Sequence, residues 1–334
     1  MRPNLSPLDD PAYALPAYST MLALGFLCAW LLARRDGQRQ GIHPADMYDF
    51  TLWMLAWGLI GARVMHVIFD GHFMEYVHMC TDSTLVPAID PPVKYCAADE
   101  QCWRQFHSIM DILLNWGSTV DKFFNCDETR HVCYPSPDCL LAFKAWRGGL
   151  AFYGGLIFAT AFAWRFLLRH RIPFLKMADI AAYGIALGLF FGRVGCFLNG
   201  CCYGKVCPVP PGVVFPRGGA AWRAHLDATL ISRGQQALPV HPTQLYQAVL
   251  NLGVFAVLYW LVRPGKRRHG EVLAWFLILK AVTRGVVEIW RDDDRGVFFG
   301  FISTAQIFGV AMVIAGMAML WWLGEQRRKE AVTA

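Results

Sequence analysis

Two arginines stand inside segments of this chain that are otherwise apolar, and anion binding is the chemistry such residues support. The first lies in Gly192-Arg193-Val194-Gly195-Cys196-Phe197-Leu198-Asn199-Gly200-Cys201-Cys202-Tyr203-Gly204, which closes a long apolar run. A guanidinium inside a membrane-length segment costs several kcal/mol unless it is paired or solvated, so Arg193 marks a candidate functional site. The four glycines of the stretch let a polar head group approach the main chain closely. The second arginine opens Arg284-Gly285-Val286-Val287-Glu288-Ile289-Trp290-Arg291. Positions 284, 288 and 291 share one helical face, which makes Glu288 the natural ion-pair partner of Arg284. Planar guanidinium forks grip phosphate oxygens in pairs, so a phosphate-bearing ligand suits these residues.

The elements that must position them read as membrane helices. Of the 334 residues, 55% are hydrophobic, 14% aromatic and only 17% charged, where soluble domains carry about 25% charged residues. Seven apolar runs of membrane-crossing length recur, at about 15–33, 48–69, 148–168, 178–200, 242–262, 271–290 and 298–323,. The first is read as a span and not as a cleaved leader, because Arg34 and Arg35 follow it in place of a small-residue cleavage site,.

Orientation follows from the basic residues. Arg34, Arg35 and Arg39, then Arg165 to Lys176, Arg263 to Arg268, and Arg327 to Lys329 fall on alternate connections. The expectation is an all-α polytopic membrane protein of seven transmembrane helices, with the N-terminus periplasmic and the C-terminus cytoplasmic. The net charge of +6 is then a topology signal, and no nucleic-acid partner is expected. The whole chain, 1–334, reads as one integral membrane domain.

Two long connections then lie outside, a Cys-rich insertion at 70–147 and a second loop at 201–241. The insertion holds Cys80, Cys96, Cys102, Cys126, Cys133 and Cys139, an even set that reads as disulfides in an oxidising compartment. Six cysteines allow 15 pairings, and sequence does not choose among them. No cysteine or histidine grouping in the insertion has zinc spacing.

This topology brings Arg63, Arg147, Arg193, Arg284, Arg291, His241 and Glu288 to one outer-leaflet zone. His241-Pro242-Thr243-Gln244-Leu245-Tyr246 opens the fifth span, with a helix N-terminus that favours anions. Taken singly, Arg147 and Arg291 also fit interfacial snorkelling, His241 a helix cap, and Tyr153 an aromatic belt. Together the residues describe an intramembrane site for an anionic lipid. Transfer, transport or binding of that lipid all remain open at this point.

These motifs resemble the prolipoprotein diacylglyceryl transferase family. Gly192 to Gly204 is similar to its Gly-Arg-x-Gly-Asn-Phe-x-Asn-Gly-Glu-x-x-Gly signature, and Gly148 to Leu156 to its Gly-Gly-x-x-Phe-His-Gly-Gly-Leu. His241 to Tyr246 resembles its His-Pro-Ser/Thr-Gln-Leu-Tyr, and Arg284 to Arg291 its Arg-Phe-x-x-Glu-x-x-Arg. The resemblance implies transfer of the diacylglyceryl group of phosphatidylglycerol to the lipobox cysteine thiol of preprolipoproteins, the first step of bacterial lipoprotein maturation. It implies a multi-pass protein of the bacterial inner membrane, read as a monomer among membrane lipids, taking preprolipoprotein signal peptides. Arg193 and Arg284 would hold the phosphate, with Glu288 orienting Arg284. Tyr18, Arg63, Gly195, Asn199, Gly204, His241 and Arg291 would shape the substrate pocket. No metal or other cofactor is implied.

The departures lie in the same motifs. Tyr153 stands where the family has a histidine often assigned as base, and a tyrosine, with an ordinary pKa near 10, needs help at neutral pH. His66 or His241 could take its place. Cys196 replaces the family's asparagine and Cys201 its glutamate, with Cys202 and Cys207 close by. Two alternatives follow: a paralogue with another acceptor, or a lipid-binding or thiol-redox membrane protein. In the latter, Cys201 and Cys202, with Cys196 or Cys207, would form a disulfide or a metal site, and a disulfide would run to Cys207 or the other loop, since adjacent cysteines bridge poorly.

Overall fold

The computed structural model describes residues 4–5, 15–71, 73–86, 104–105, 120–121, 124–127, 132–144, 149–217, 219–232, 234–291, 297–298 and 302–333. Among these, the helices are α1 (Ala17–Arg39), α2 (Pro44–Phe69), α3 (Phe73–Thr81), α4 (Phe152–Arg169), α5 (Phe174–Asn199), α6 (Ala220–Asp227), α7 (Thr243–Ala256), α8 (Glu271–Glu288) and α9 (Thr304–Thr333). Helix α7 continues through a π-helical turn at Val257–Val262, and the segment as a whole runs to Gly265. Each apolar run of the sequence therefore carries a helix.

Among the described residues, five helical segments are long and apolar enough to cross a membrane: Ala17–Arg39, Pro44–Phe69, Phe174–Asn199, Thr243–Gly265 and Gln306–Glu330. Helices α4 and α8 are 18 residues each, with Arg165 and Arg169 towards the end of one and Glu271, Lys280, Arg284 and Glu288 along the other. The largest overruns of the apolar runs are at two C-terminal ends. Helix α1 runs on to Arg39 and α9 to Thr333, because apolarity marks a bilayer-length run while arginine, lysine and glutamate extend a helix readily into water.

The chain folds as two compact units, one of 1–5, 16–47 and 172–334, the other of 6–15 and 48–171. In the first, α5 packs along both α1 and α7, and α8 along α9. Two buried carboxylates tie the helix ends that carry the basic residues. Asp36 accepts from the Tyr183 hydroxyl at 2.6 Å and pairs with Arg263 at 2.5 Å. Asp179 accepts from the backbone N–H groups of Gly270 and Leu273 at 2.9 and 3.0 Å and from Lys266 at 3.2 Å. It thereby caps the N-terminus of α8, where a negative charge is favoured.

In the second unit, α2 and α4 approach until their backbones touch. A methyl group added at Gly61 would fall 2.5 Å from the Gly154 carbonyl oxygen, so only glycine fits, the small-residue contact that membrane helices use. Phe50 packs on Phe166 and Trp57 stacks on Phe162 along the same seam.

The insertion is not helical throughout. Strands β1 (Phe124–Asp127) and β2 (Val132–Pro135) form an antiparallel hairpin. Cys80 is bridged to Cys139, and Cys126 and Cys133 are also disulfide-bonded, as the even cysteine set led one to expect. Cys96, Cys102 and Arg147 lie outside the described residues.

Candidate functional site

The Gly192–Gly204 stretch is built as a helix end folded back on itself. Helix α5 stops where Gly200 takes a left-handed conformation, φ 76°, and the Cys201 N–H then donates to the Cys196 carbonyl at 3.1 Å. Such a reversal satisfies the last helical carbonyls. The start of α7 holds the returning chain: Gln244 Nε2 donates to the Cys201 carbonyl at 2.8 Å and Thr243 Oγ1 to the Cys202 carbonyl at 3.0 Å. Gly204 then bridges to Arg291, its N–H donating to the His241 carbonyl at 2.9 Å. A side chain at Gly204 would meet Trp290 O and come within 2.6 Å of Thr243 Cγ2, so the close approach requires glycine. Three motifs that lie far apart in sequence are thus joined through their backbones.

The cations of this unit face one another. Arg284 Nη1 lies 2.5 Å from Glu288 Oε2, an ion pair without the alignment of a hydrogen bond. Lys280, one turn before Arg284, lies within electrostatic reach of both Arg193 and Arg284 and donates to Asn251 Oδ1 at 2.7 Å. Arg193 makes no ion pair with a carboxylate among the described residues. Arg193, Arg284 and Lys280 against the single Glu288 leave two formal positive charges uncompensated. Arg291 is buried at 6% exposure.

Sequence reasoning passed over Lys280 and the polar face of α7. Gln244, Gln247 and Asn251 recur three and four apart, all essentially fully buried, and Gln244 Oε1, Gln247 Oε1 and Asn251 Nδ2 have no hydrogen-bond partner among the described residues. The spacing was readable as one polar stripe on an apolar helix. Buried polar groups held without partners cost free energy, and functional sites are where that cost is met.

The remaining residues of the sequence reading fall as follows. Tyr18, on α1, lies over Gly195, its Cδ2 3.1 Å from where a side chain would begin. Asn199 is exposed and hydrogen-bonds to Cys201. His241 Nδ1 lies 3.1 Å from the Tyr246 hydroxyl, in a ring cluster with Trp290. A cleft of about 410 Å³ lies between α8 and α9, with Arg284 and Glu288 on its rim and apolar walls that include Ala281, Val310, Val313 and Ile314.

Arg63 and Tyr153 belong to the other unit. Arg63 was expected to contact a head group, but its guanidinium is occupied by the carbonyls of Ala142 at 2.8 Å, Gly149 at 3.0 Å and Leu141. It ties Leu141, Ala142 and Gly149 to α2. Beside it His66 packs against Gly149, with Nδ1 3.1 Å from Asp70 Oδ2. Tyr153, in the first turn of α4, is 58% exposed.

The second thiol group departs from the disulfide reading. Cys196, Cys201, Cys202 and Cys207 are all free, and the buried Cys207 thiol donates to the Val209 carbonyl at 3.1 Å. Three of them converge: the sulfurs of Cys196, Cys201 and Cys202 all lie within 4.8 Å of one another. The Cys202 thiol is held well below the usual thiol range, first by hydrogen bonds with Cys196 and Cys201, then by the nearby Arg193 and Arg291 guanidiniums,.

A family model described as prolipoprotein diacylglyceryl transferase matches residues 9–86 and 129–322 of the chain. Similar curated proteins carry the name phosphatidylglycerol–prolipoprotein diacylglyceryl transferase. One from Legionella pneumophila is 31% identical over 220 residues, 65% of this chain and 77% of the relative. One from Chromohalobacter salexigens is 28% identical over 312 residues, 92% of this chain and 88% of the relative. One from Pseudomonas paraeruginosa is 34% identical over 203 residues, 60% of this chain and 68% of the relative.

Proposed function

The chain belongs to the prolipoprotein diacylglyceryl transferase family, and on that premise we propose how its residues divide the work. It is a transferase that moves the diacylglyceryl group of phosphatidylglycerol to the cysteine thiol of a prolipoprotein. The acceptor thiolate attacks the glyceryl carbon that bears the phosphate ester. A sulfur–carbon bond forms, the carbon–oxygen bond breaks, and its electron pair leaves with glycerol phosphate. The phosphate thus goes from one negative charge to two as the reaction proceeds.

The observation that carries this assignment is Arg193, which no described carboxylate pairs and which lies within electrostatic reach of Lys280, itself one turn from Arg284. Fixed cations stabilise a transition state when they face charge that grows there. Arg193 and Arg284 are therefore assigned to the phosphate, Lys280 to the same developing charge, and Glu288 to orienting Arg284. Tyr18, Gly195, Asn199, Gly204, His241 and Arg291 shape the head-group pocket. The cleft between α8 and α9, apolar except at the rim, suits an acyl chain.

The thiolate is the nucleophile, so the acceptor needs a base. His66 carries an imidazole, the commonest general base among side chains, and its Nδ1 lies 3.1 Å from the Asp70 carboxylate, which would orient the ring. We assign the base to His66 and a hydrogen-bonding role to the Tyr153 phenol, with Arg63 positioning the segment between them. His66→Gln is expected to lower kcat/KM about a hundredfold, and Tyr153→Phe no more than about tenfold, one neutral hydrogen bond's worth. The reverse order would return the base to Tyr153.

The membrane reading is seven spans, with the N-terminus and the 70–147 and 201–241 segments outside the bacterial inner membrane. The cation cluster then opens to the outer leaflet, where secreted preprolipoproteins arrive. Purified protein given phosphatidylglycerol and a lipobox peptide should yield a diacylglyceryl peptide detectable by mass. A peptide with serine for the acceptor cysteine should stay unmodified. Failure of folded protein to modify the cysteine peptide would sink the assignment.

A further inference from the structure

The transferase reaction leaves the Cys196, Cys201 and Cys202 thiols without a task. They converge by construction: Cys196 comes from the last turn of α5, Cys201 follows the Gly200 reversal, and Cys202 is held at φ 63°. A non-glycine residue in the left-handed region costs roughly 1–2 kcal/mol, yet that conformation is what turns the third sulfur back toward the other two. The three sulfurs lie within 4.8 Å of one another. A metal–sulfur bond of about 2.3 Å places three sulfurs around one ion at about 4 Å spacing, so the group needs little movement to close on a cation.

Charge and ligand number narrow the ion. Sulfur in place of the family's amide and carboxylate oxygens turns the preference from hard cations to soft ones. Structural zinc takes four ligands, whereas three are grouped here among the described residues. Arg193 and Arg291 lie within electrostatic reach of Cys202, which offsets part of the negative charge that three thiolates bring to one ion. An apolar backing of Phe197, Tyr203 and Phe215 flanks the turn. We propose that Cys196, Cys201 and Cys202 form a three-coordinate thiolate site for a soft monovalent cation, Cu(I). Each thiol that ligates exchanges its S–H bond for an S–Cu bond, and the proton leaves to solvent. The copper stays monovalent, so no oxidant is consumed.

Full-length protein, reduced and kept anaerobic, would be titrated with Cu(I) supplied as a chromophoric chelate. The expected result is one Cu(I) bound per chain, with a thiolate-to-copper absorption band and three sulfur neighbours by X-ray absorption. Cys196→Ser, Cys201→Ser and Cys202→Ser should each weaken binding by roughly a hundredfold, while Cys28→Ser and Cys207→Ser leave it unchanged. The absorption spectrum of the unaltered protein guards against a variant that fails to fold. Absence of uptake, uptake surviving the triple serine variant, tighter binding of Zn(II), or a disulfide among the three in the isolated protein would each overturn the proposal.

Discussion

Arg193→Ala is expected to lower kcat/KM by about a thousandfold, the upper range for losing one fixed donor to a developing anion. The reason lies in what Arg193 is not doing. It makes no ion pair with a carboxylate among the described residues, so its removal strips charge from the phosphate without stranding a buried carboxylate. Protein level and thermal unfolding should therefore match the unaltered chain. Arg193→Lys should recover only part of the activity, because an ammonium cannot grip two phosphate oxygens as a guanidinium fork does. Steady-state kinetics with phosphatidylglycerol vesicles would show this as a fall in kcat with little change in thermal midpoint. A variant that fails through unfolding would instead make Arg193 a structural residue.

Arg284→Ala behaves differently, because it leaves Glu288 behind. The two face each other at 2.5 Å with 17% and 18% of their side chains exposed. Removing one partner of a buried pair costs about 3–5 kcal/mol, and this partial exposure points to the lower end. The single variant should thus lose both turnover and stability. Adding Glu288→Gln removes the stranded charge, so the double variant should regain most of the stability and none of the turnover. Unfolding in detergent micelles and kcat/KM measured side by side would separate the two effects. Recovery of activity in the double variant would contradict a phosphate role for Arg284.

These two arginines were legible in the sequence because a charge in an apolar run has few bland explanations. The Arg284–Glu288 pair was legible for the same reason, since its spacing places both on one helical face. Gln247 and Asn251 were not read, although the stripe was present, because neutral amides draw no attention until burial shows Gln247 Oε1 and Asn251 Nδ2 without a partner among the described residues. Lys280, a charge in an apolar run, was as legible as the arginines and was passed over. Asp36 and Asp179 read as ordinary acids near helix ends, and only tertiary packing brings Arg263 and Lys266 to them. Arg63 illustrates the opposite error. Its position in an apolar run suggested a ligand contact, and Ala142 and Gly149, distant in sequence, supply carbonyls to its guanidinium. The three-thiol convergence depends on the sign of one backbone angle at Cys202, which residue types alone do not determine. The helices were the easy part, because apolar length alone locates them.

The central claim is that this chain breaks the bond between the glyceryl carbon and the phosphate oxygen, with its arginines taking the charge. The mass and lability of the modified peptide test it most directly. The account predicts a thioether that carries the whole diacylglyceryl group, withstands hydroxylamine, and forms together with an equal amount of glycerol phosphate. A peptide bearing a single acyl group, released by hydroxylamine with lysophosphatidylglycerol as co-product, would contradict it.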